Sequence, residues 1–186
     1  MTLDIRTLAI PDVKLIVPRR FADARGHFTE TYNKNTWAAA GLPAFDAVQD
    51  NQSLSRETGT IRGLHFQRPP HAQAKLVSCL HGRILDVAVD IRKGSKTFGR
   101  HVTAELDAAS GAQLFVPAGF AHGFCTLAPD TLVAYKVDAH YVPESDAGIF
   151  WADEALAIAW PVSPDRAQLS PKDAALPRLK DIVSPF

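Results

Sequence analysis

Between residues 49 and 137 the chain is cut into short strand-like runs, most of them apolar, by turn chemistry at an even spacing. That rhythm constrains the fold more than any other feature. Extended runs are expected at 49–53, 61–67, 74–80, 83–90, 100–106, 113–116, 122–127 and 132–137. Arg68-Pro69-Pro70, His81-Gly82, Lys93-Gly94-Ser95, Ala109-Ser110-Gly111, Pro117-Ala118-Gly119 and Pro129-Asp130 separate them. Proline pre-sets φ and glycine tolerates positive φ, so each of these groups reads as a turn. Runs so close together leave no room for the crossover helices of a parallel sheet. The expected class is all-β, a sandwich or small barrel.

The flanks refine this picture. Residues 15–17, ending at Pro18, and 27–32 read as two strands of an opening hairpin, with Asp23-Ala24-Arg25-Gly26 as the turn between them. Residues 35–40 begin with a capping-type Asn35 ahead of Trp37 and three alanines, enough for one or two helical turns before Gly41 and Pro43 stop them. In 83–90, Leu85, Val87 and Val89 share one face and Asp86, Ala88 and Asp90 the other, so the first three are assigned to the core. Beyond Tyr141, prolines at 143, 161, 164, 171, 177 and 185 break the chain into short pieces. A tail wrapping the β body with brief helical turns is expected. No linker, repeat or low-complexity segment interrupts the 186 residues, which read as one domain over 1–186.

Charge and cysteine usage remove several function classes. Lys+Arg 20 balances Asp+Glu 20, so no net field recommends nucleic acid or an anionic membrane as partner. Cys79 and Cys125 are the only cysteines, each in an apolar segment, which argues against a disulfide framework and fits a reducing compartment. Residues 1–10 carry Asp4 and Arg6 and lack the unbroken apolar stretch of a signal peptide, and no run of about 18 apolar residues offers a membrane span. A cytoplasmic location is expected.

Polar residues at strand-like positions are the informative ones, because small β-barrels hold ligands in their mouths with side chains from several strands. They are Gln49, Asn51, Arg62, His65, Lys75, His122 and Tyr135, with Arg25 and Glu30 from the opening hairpin. By type they supply a base near neutrality (His65), a cation for an oxyanion (Lys75), a phenol that donates a proton (Tyr135) and arginines suited to phosphate. Such a set fits proton abstraction next to a carbonyl. Each member also has an ordinary structural explanation: a core histidine, a snorkelling lysine, an amphipathic tyrosine, a solvated turn arginine. His122 fits equally a group that satisfies a buried backbone atom. Asp173, in Ser170-Pro171-Lys172-Asp173, fits a helix-capping box.

Strict alternation places Arg62 and His65 on opposite faces, and one cavity takes both only if Gly63 marks a bulge or the segment begins as loop. The seven histidines include no His-X-His pair and no His-Glu-X-X-His, so no metal site is expected.

The motifs together resemble one family. They are Phe21-X-Asp23-X-Arg25-Gly26-X-Phe28-X-Glu30, Gln49-Asp50-Asn51-X-Ser53, Arg62-Gly63-Leu64-His65, Lys75-Leu76-Val77, Gly82-X-Ile84-X-Asp86-Val87-X-Val89-Asp90, Pro117-X-Gly119-Phe120-Ala121-His122-Gly123-Phe124 and Leu169-Ser170-X-Lys172-Asp173. In this order, from about Phe21 to Leu179, the chain resembles the dTDP-4-dehydrorhamnose 3,5-epimerases. The resemblance implies a cupin-type jelly roll with short peripheral helices, and a homodimer whose N-terminal strands cross to the partner. It also implies inversion of C3 and C5 of dTDP-4-dehydro-6-deoxy-D-glucose to dTDP-4-dehydro-L-rhamnose without metal or organic cofactor.

Carried over by position, the resemblance makes His65 the base, Asp173 its supporting carboxylate, Lys75 the group facing the C4 oxygen and Tyr135 the acid on the opposite face of the sugar. Gln49, Asn51, Arg62, His122, Tyr141, Asp146 and Lys172 become nucleotide-sugar contacts. Phe21, Arg25 and Glu30 reach the nucleotide end across the dimer. There are departures. Asp146 stands where the family usually has Glu after Tyr141-Val142-Pro143, with an additional Glu144, and His140-Tyr141 replaces a frequent Tyr-Tyr pair. Asp138 stands where Thr is common. An epimerase acting on C3 alone or C5 alone, a 3,4-ketoisomerase-like enzyme and a non-catalytic sugar-binding cupin are the rival readings.

Overall fold

The computed structural model describes residues 3–186; Met1 and Thr2 of the expected 1–186 domain lie outside them. The chain runs through β1 (Leu3–Thr7), β2 (Lys14–Pro18), β3 (Arg20–Asp23), β4 (Gly26–Thr29), α1 (Lys34–Ala39), β5 (Gln49–Ser55), β6 (Ile61–Gln67), β7 (Lys75–His81) and β8 (Arg83–Asp90). It continues through β9 (His101–Asp107), β10 (Gln113–Val116), β11 (Phe120–Thr126), β12 (Thr131–Val137), β13 (Asp146–Gly148) and α2 (Pro171–Ala174). Three-residue 3-10 turns occupy Pro143–Ser145, Glu154–Leu156 and Leu179–Asp181. Two large antiparallel sheets result, one ordered β1-β2-β10-β7-β12-β5 and the other β13-β6-β11-β8-β9, with β3-β4 as a separate two-stranded hairpin. The all-β class expected from the turn rhythm forms, in the jelly-roll arrangement that the resemblance implies.

The sheets face each other across one core. Val77 and Cys79 from β7, Leu114 and Val116 from β10 and Val133 from β12 meet Ile84, Ala88, Val102, Leu106, Phe120 and Phe124 from the other sheet. Fully burying a Val, Leu, Ile or Phe side chain stabilises by about 1.5–3 kcal/mol, so this shared interior holds the two sheets together. Outside the six-stranded sheet, Trp37 of α1 packs on Ile16, Leu76 and Phe115. Outside the five-stranded sheet, the C-terminal tail lays Leu156, Trp160, Ile182 and Phe186 over Leu64, Phe66, Val87 and Val89. The wrapping tail is therefore structural cover for a second apolar surface.

Three local expectations are corrected. The opening hairpin has the expected turn but pairs Arg20–Asp23 with Gly26–Thr29, whereas Leu15 to Val17 pair with β1, and Leu15 and Ile16 also with β10. Pro18 ends one strand, and a second begins two residues later. The helix cap is Asn33, whose side chain accepts from the amides of Asn35 and Thr36; Asn35 lies inside α1. Val87 and Val89 are buried as expected, but Leu85 is only partly so, and Ile84, Asp86, Ala88 and Asp90 of the opposite face are fully buried as well. The six-stranded sheet covers one face of β8 and the tail covers the other, so both faces are interior.

Asp90 is one consequence of that burial. Its carboxylate accepts from Arg92, Ser95 and Thr97, which fixes the turn after β8. Burial alone would raise its pKa, but these bonds hold the carboxyl well below the usual carboxylate range.

Candidate active site

The paradox of Arg62 and His65 is settled by the backbone. His122 on β11 stands opposite His65, and Phe124, two residues on, stands opposite Arg62, three residues back along β6. One extra residue in β6 makes a β-bulge and puts Arg62, His65 and His122 on one face. Gly63 permits it, with φ at +134° and so close to β11 that a Cβ would lie 2.5 Å from the Gly123 Cα. Arg62 shares the face without lining the cavity. Its guanidinium donates to Ser55 Oγ and to the Leu54 carbonyl, both at 3.1 Å.

At that face the barrel opens into a cavity of about 370 Å³, walled by Gln49, Asn51, His65, Lys75, Tyr135 and Lys172 among others. His65 Nε2 lies 2.6 Å from Asp173 Oδ1. Ser170 caps α2 by accepting the Asp173 amide at 3.0 Å, and Pro171 takes the first helical position, as the capping reading expects. The Asp173 carboxylate, 4% exposed, turns to His65. Burial pushes its pKa up, but the hydrogen bond and charge of His65, together with bonds from Ser170 and the Gly63 backbone, outweigh that, and the carboxyl stays lowered overall.

Lys75 begins β7 and is 8% exposed. Its Nζ donates to the His65 carbonyl at 3.2 Å. Burial brings its pKa down to about 8, with Asp146 and Asp86 pulling the other way. Tyr135 sits in the middle of β12, between Asn51 and Val77 in the ladder, and burial raises its phenol while the charge of Arg62 opposes that rise. His65 belongs to the five-stranded sheet and Tyr135 to the six-stranded one, so an imidazole and a phenol approach the cavity from opposite walls.

The rim is ionic. Asp146 Oδ2 accepts from the Tyr141 hydroxyl at 3.0 Å and pairs with the Lys172 ammonium. Asp146, a departure in side-chain length, therefore lines the cavity together with both partners.

The remaining expected contacts divide. Gln49 donates to Asn51 Oδ1 at 2.8 Å, and both line the cavity. His122 does not line it: the ring is buried and its Nε2 lies 2.6 Å from Asp86 Oδ1. Phe21, Arg25 and Glu30 also stand away from the cavity within one chain. Arg25 pairs with Asp23, Phe21 lies under the Arg19 guanidinium, and Glu30 accepts from Asn33 and Thr36. Sequence reasoning overlooked Gln67, Gln73 and Phe66 as lining residues, and Asp86 as the partner of His122. The two-residue period from His65 carried a signal for Gln67; Gln73, in a loop, carried none. Among the described residues no group of three or more His, Cys, Asp or Glu gathers as a metal site, and no helix is long and apolar enough to cross a membrane.

Fold and cavity define a cupin-type jelly roll with a metal-ligand-poor, acid–base-rich mouth. The family profile described as dTDP-4-dehydrorhamnose 3,5-epimerase matches residues 7–181, and the chain belongs to that family. It is 50% identical over 181 residues to the dTDP-4-dehydrorhamnose 3,5-epimerase of Sinorhizobium fredii, covering 97% of this chain and 92% of the relative. A crystal structure of the Bacillus anthracis dTDP-4-dehydrorhamnose 3,5-epimerase with TDP and PPi bound superposes with a TM-score of 0.91 at 49% identity, covering 95% of this chain and 99% of that one. The Legionella pneumophila dTDP-6-deoxy-D-glucose-3,5-epimerase in complex with dTDP-4-keto-L-rhamnose also gives 0.91, at 42% identity, covering 97% and 95%.

Proposed function

We propose that this protein inverts C3 and C5 of dTDP-4-dehydro-6-deoxy-D-glucose, giving dTDP-4-dehydro-L-rhamnose. The observation that carries the reading is the pairing of His65 with Asp173 on one wall and the Tyr135 phenol on the other, within a family whose relatives bear that activity in their names. His65, oriented by Asp173, takes the proton next to the C4 ketone. The resulting charge moves to the C4 oxygen, where the Lys75 ammonium stabilises it as an enolate. The planar enolate holds no configuration, and Tyr135 returns a proton from the opposite side. Proton transfers alone change the configuration, so the sequence of steps calls for no redox cofactor and no metal.

Gln49, Asn51, Tyr141, Asp146 and Lys172 form the sugar-nucleotide side of the site in this reading. Arg62 supports it through its charge near Tyr135. His122 supports the wall beside His65. Phe21, Arg25 and Glu30 serve a second copy of the chain in a cytoplasmic homodimer of single jelly-roll domains. Support comes from the exposed Phe21, Phe28, Leu54 and Leu80, large apolar side chains that a partner would cover. Solvent deuterium incorporation followed by NMR tests the reaction. Label at both C3 and C5 is expected; label at one carbon would assign a mono-epimerase, and none would leave a sugar-binding cupin.

A further inference from the structure

Four consecutive residues at the rim, 139–142, have main-chain groups held by the side-chain amides of three glutamines. Gln73 Nε2 donates to the Ala139 carbonyl at 2.7 Å, and Gln67 Nε2 to the His140 carbonyl at 3.1 Å. Gln49 Oε1 accepts the Tyr141 amide at 3.0 Å, and Gln67 Oε1 the Val142 amide at 2.7 Å. Gln67 also donates to the His71 carbonyl at 2.7 Å, which ties in the loop that carries Pro69 and Pro70. All three glutamines line the cavity. The segment they hold lies between β12 and the 3-10 turn at Pro143–Ser145, with no strand or helix of its own. Side-chain amides here do the work that a ladder does elsewhere.

What the clamp presents is Tyr141, the one residue of 139–142 that lines the cavity. Tyr141 is 54% exposed, yet it is fixed at both ends, by Gln49 on its amide and Asp146 on its hydroxyl. Gln67 is 3% exposed and needs the amide group in particular, since it donates twice and accepts once. A glutamate would set a carboxylate against the carbonyls of His71 and His140, and a methionine would offer no donor and only a weak sulfur acceptor.

We propose that Gln67 and Gln73 are positioning residues. They fix 139–142 so that Tyr141 stands at the cavity mouth before ligand arrives, and they favour binding without entering the chemistry. Pre-ordering a contact residue removes an ordering cost from the binding step. The proposal rests on the reading of the cavity as a nucleotide-sugar site.

The test uses Gln67→Met and Gln73→Met, each made also in a Tyr141→Ala background, with amide exchange measured by NMR and KM and kcat measured on the 4-keto sugar nucleotide. Loss of the bond from the Val142 amide to Gln67 Oε1, one of the three that Gln67 makes, predicts exchange of that amide accelerated roughly tenfold in Gln67→Met, with the β-strand amides unchanged. KM should rise roughly tenfold in Gln67→Met and about threefold in Gln73→Met, with kcat held within about threefold. With Tyr141→Ala already present, Gln67→Met should add nothing further to KM. Unchanged exchange at 139–142 in both variants would overturn the clamp, as would a KM effect equally large without the tyrosine ring. Exchange is read without substrate, so a protein that turns over no 4-keto sugar refutes the proposed reaction, and the clamp still stands or falls on the exchange result.

Discussion

Replacing Lys75 with methionine should make the protein more stable and inactive, and the size of the gain follows from its burial. In the fold its pKa is lowered to about 8 from the 10.5 of a free lysine, because desolvation penalises the ammonium more than Asp146 and Asp86 support it. A folded pKa below the unfolded one means that folding opposes the charge. The penalty is fully present below pH 8 and is relieved as pH rises from 8 towards 10.5. At pH 7 it amounts to about 3 kcal/mol at the most. Methionine of similar length fills the same space, while losing the bond to the His65 carbonyl gives back about 1 kcal/mol. A net gain of about 2 kcal/mol at pH 7 is expected, shrinking to nothing or to a small loss near pH 10.5.

Urea unfolding at fixed protein concentration, followed by fluorescence of Trp37, Trp151 and Trp160 at several pH values, measures this directly. A variant less stable than the parent at pH 7, or a gain that persists unchanged to pH 10.5, would refute the reasoning. The same titration sets the alkaline limb of turnover. Above about pH 8 the ammonium fraction falls roughly tenfold per pH unit, and kcat/KM should follow it down.

Other perturbations probe the remaining parts. His65→Ala should abolish deuterium exchange at both carbons while dTDP binding stays measurable by calorimetry; retained turnover would remove His65 from the role of base. Tyr135→Phe should slow reprotonation and spare C3 exchange more than net inversion, and equal loss in both would argue that the tyrosine only positions the sugar. Gly63→Ala should destabilise by about 3 kcal/mol or more, since a Cβ there meets Gly123 at 2.5 Å on a backbone at φ +134°; thermal unfolding would show it. Asp90→Asn should cost about 3 kcal/mol at pH 7 through the lost charge-assisted bonds to Arg92, Ser95 and Thr97. Because the folded pKa of Asp90 is depressed, its contribution is present above the unfolded value near 3.8 and is lost as pH falls below it, so the variant's deficit should narrow in acid.

Much of the β body was legible because side-chain alternation and turn residues are local signals. The runs at 61–67, 83–90 and 113–116 coincide with β6, β8 and β10, and the others differ by one or two residues at their ends. The opening hairpin departs from its local pattern because a turn shows where a chain reverses but not which upstream segment it pairs with; β1 claims Leu15 to Val17 through contacts no local pattern announces. Leu85 and Asp86 depart from the alternation pattern for a related reason. Alternation separates two faces, and only the tail, arriving from some seventy residues away, made both of them interior.

For the site the division runs along the same line. By itself the sequence determined the all-β class, the residue types needed for proton transfer beside a ketone and, through its motifs, the family. Tertiary structure alone decided which of those residues share one cavity. A single bulged residue at Gly63 turns Arg62 to the face of His65 while leaving it outside the cavity, a capped turn in the distant tail brings Asp173 within 2.6 Å of the imidazole, and the facing of two sheets sets Tyr135 across from it. Distance across a fold depends on the register and packing of segments far apart in the chain, and no local pattern encodes it.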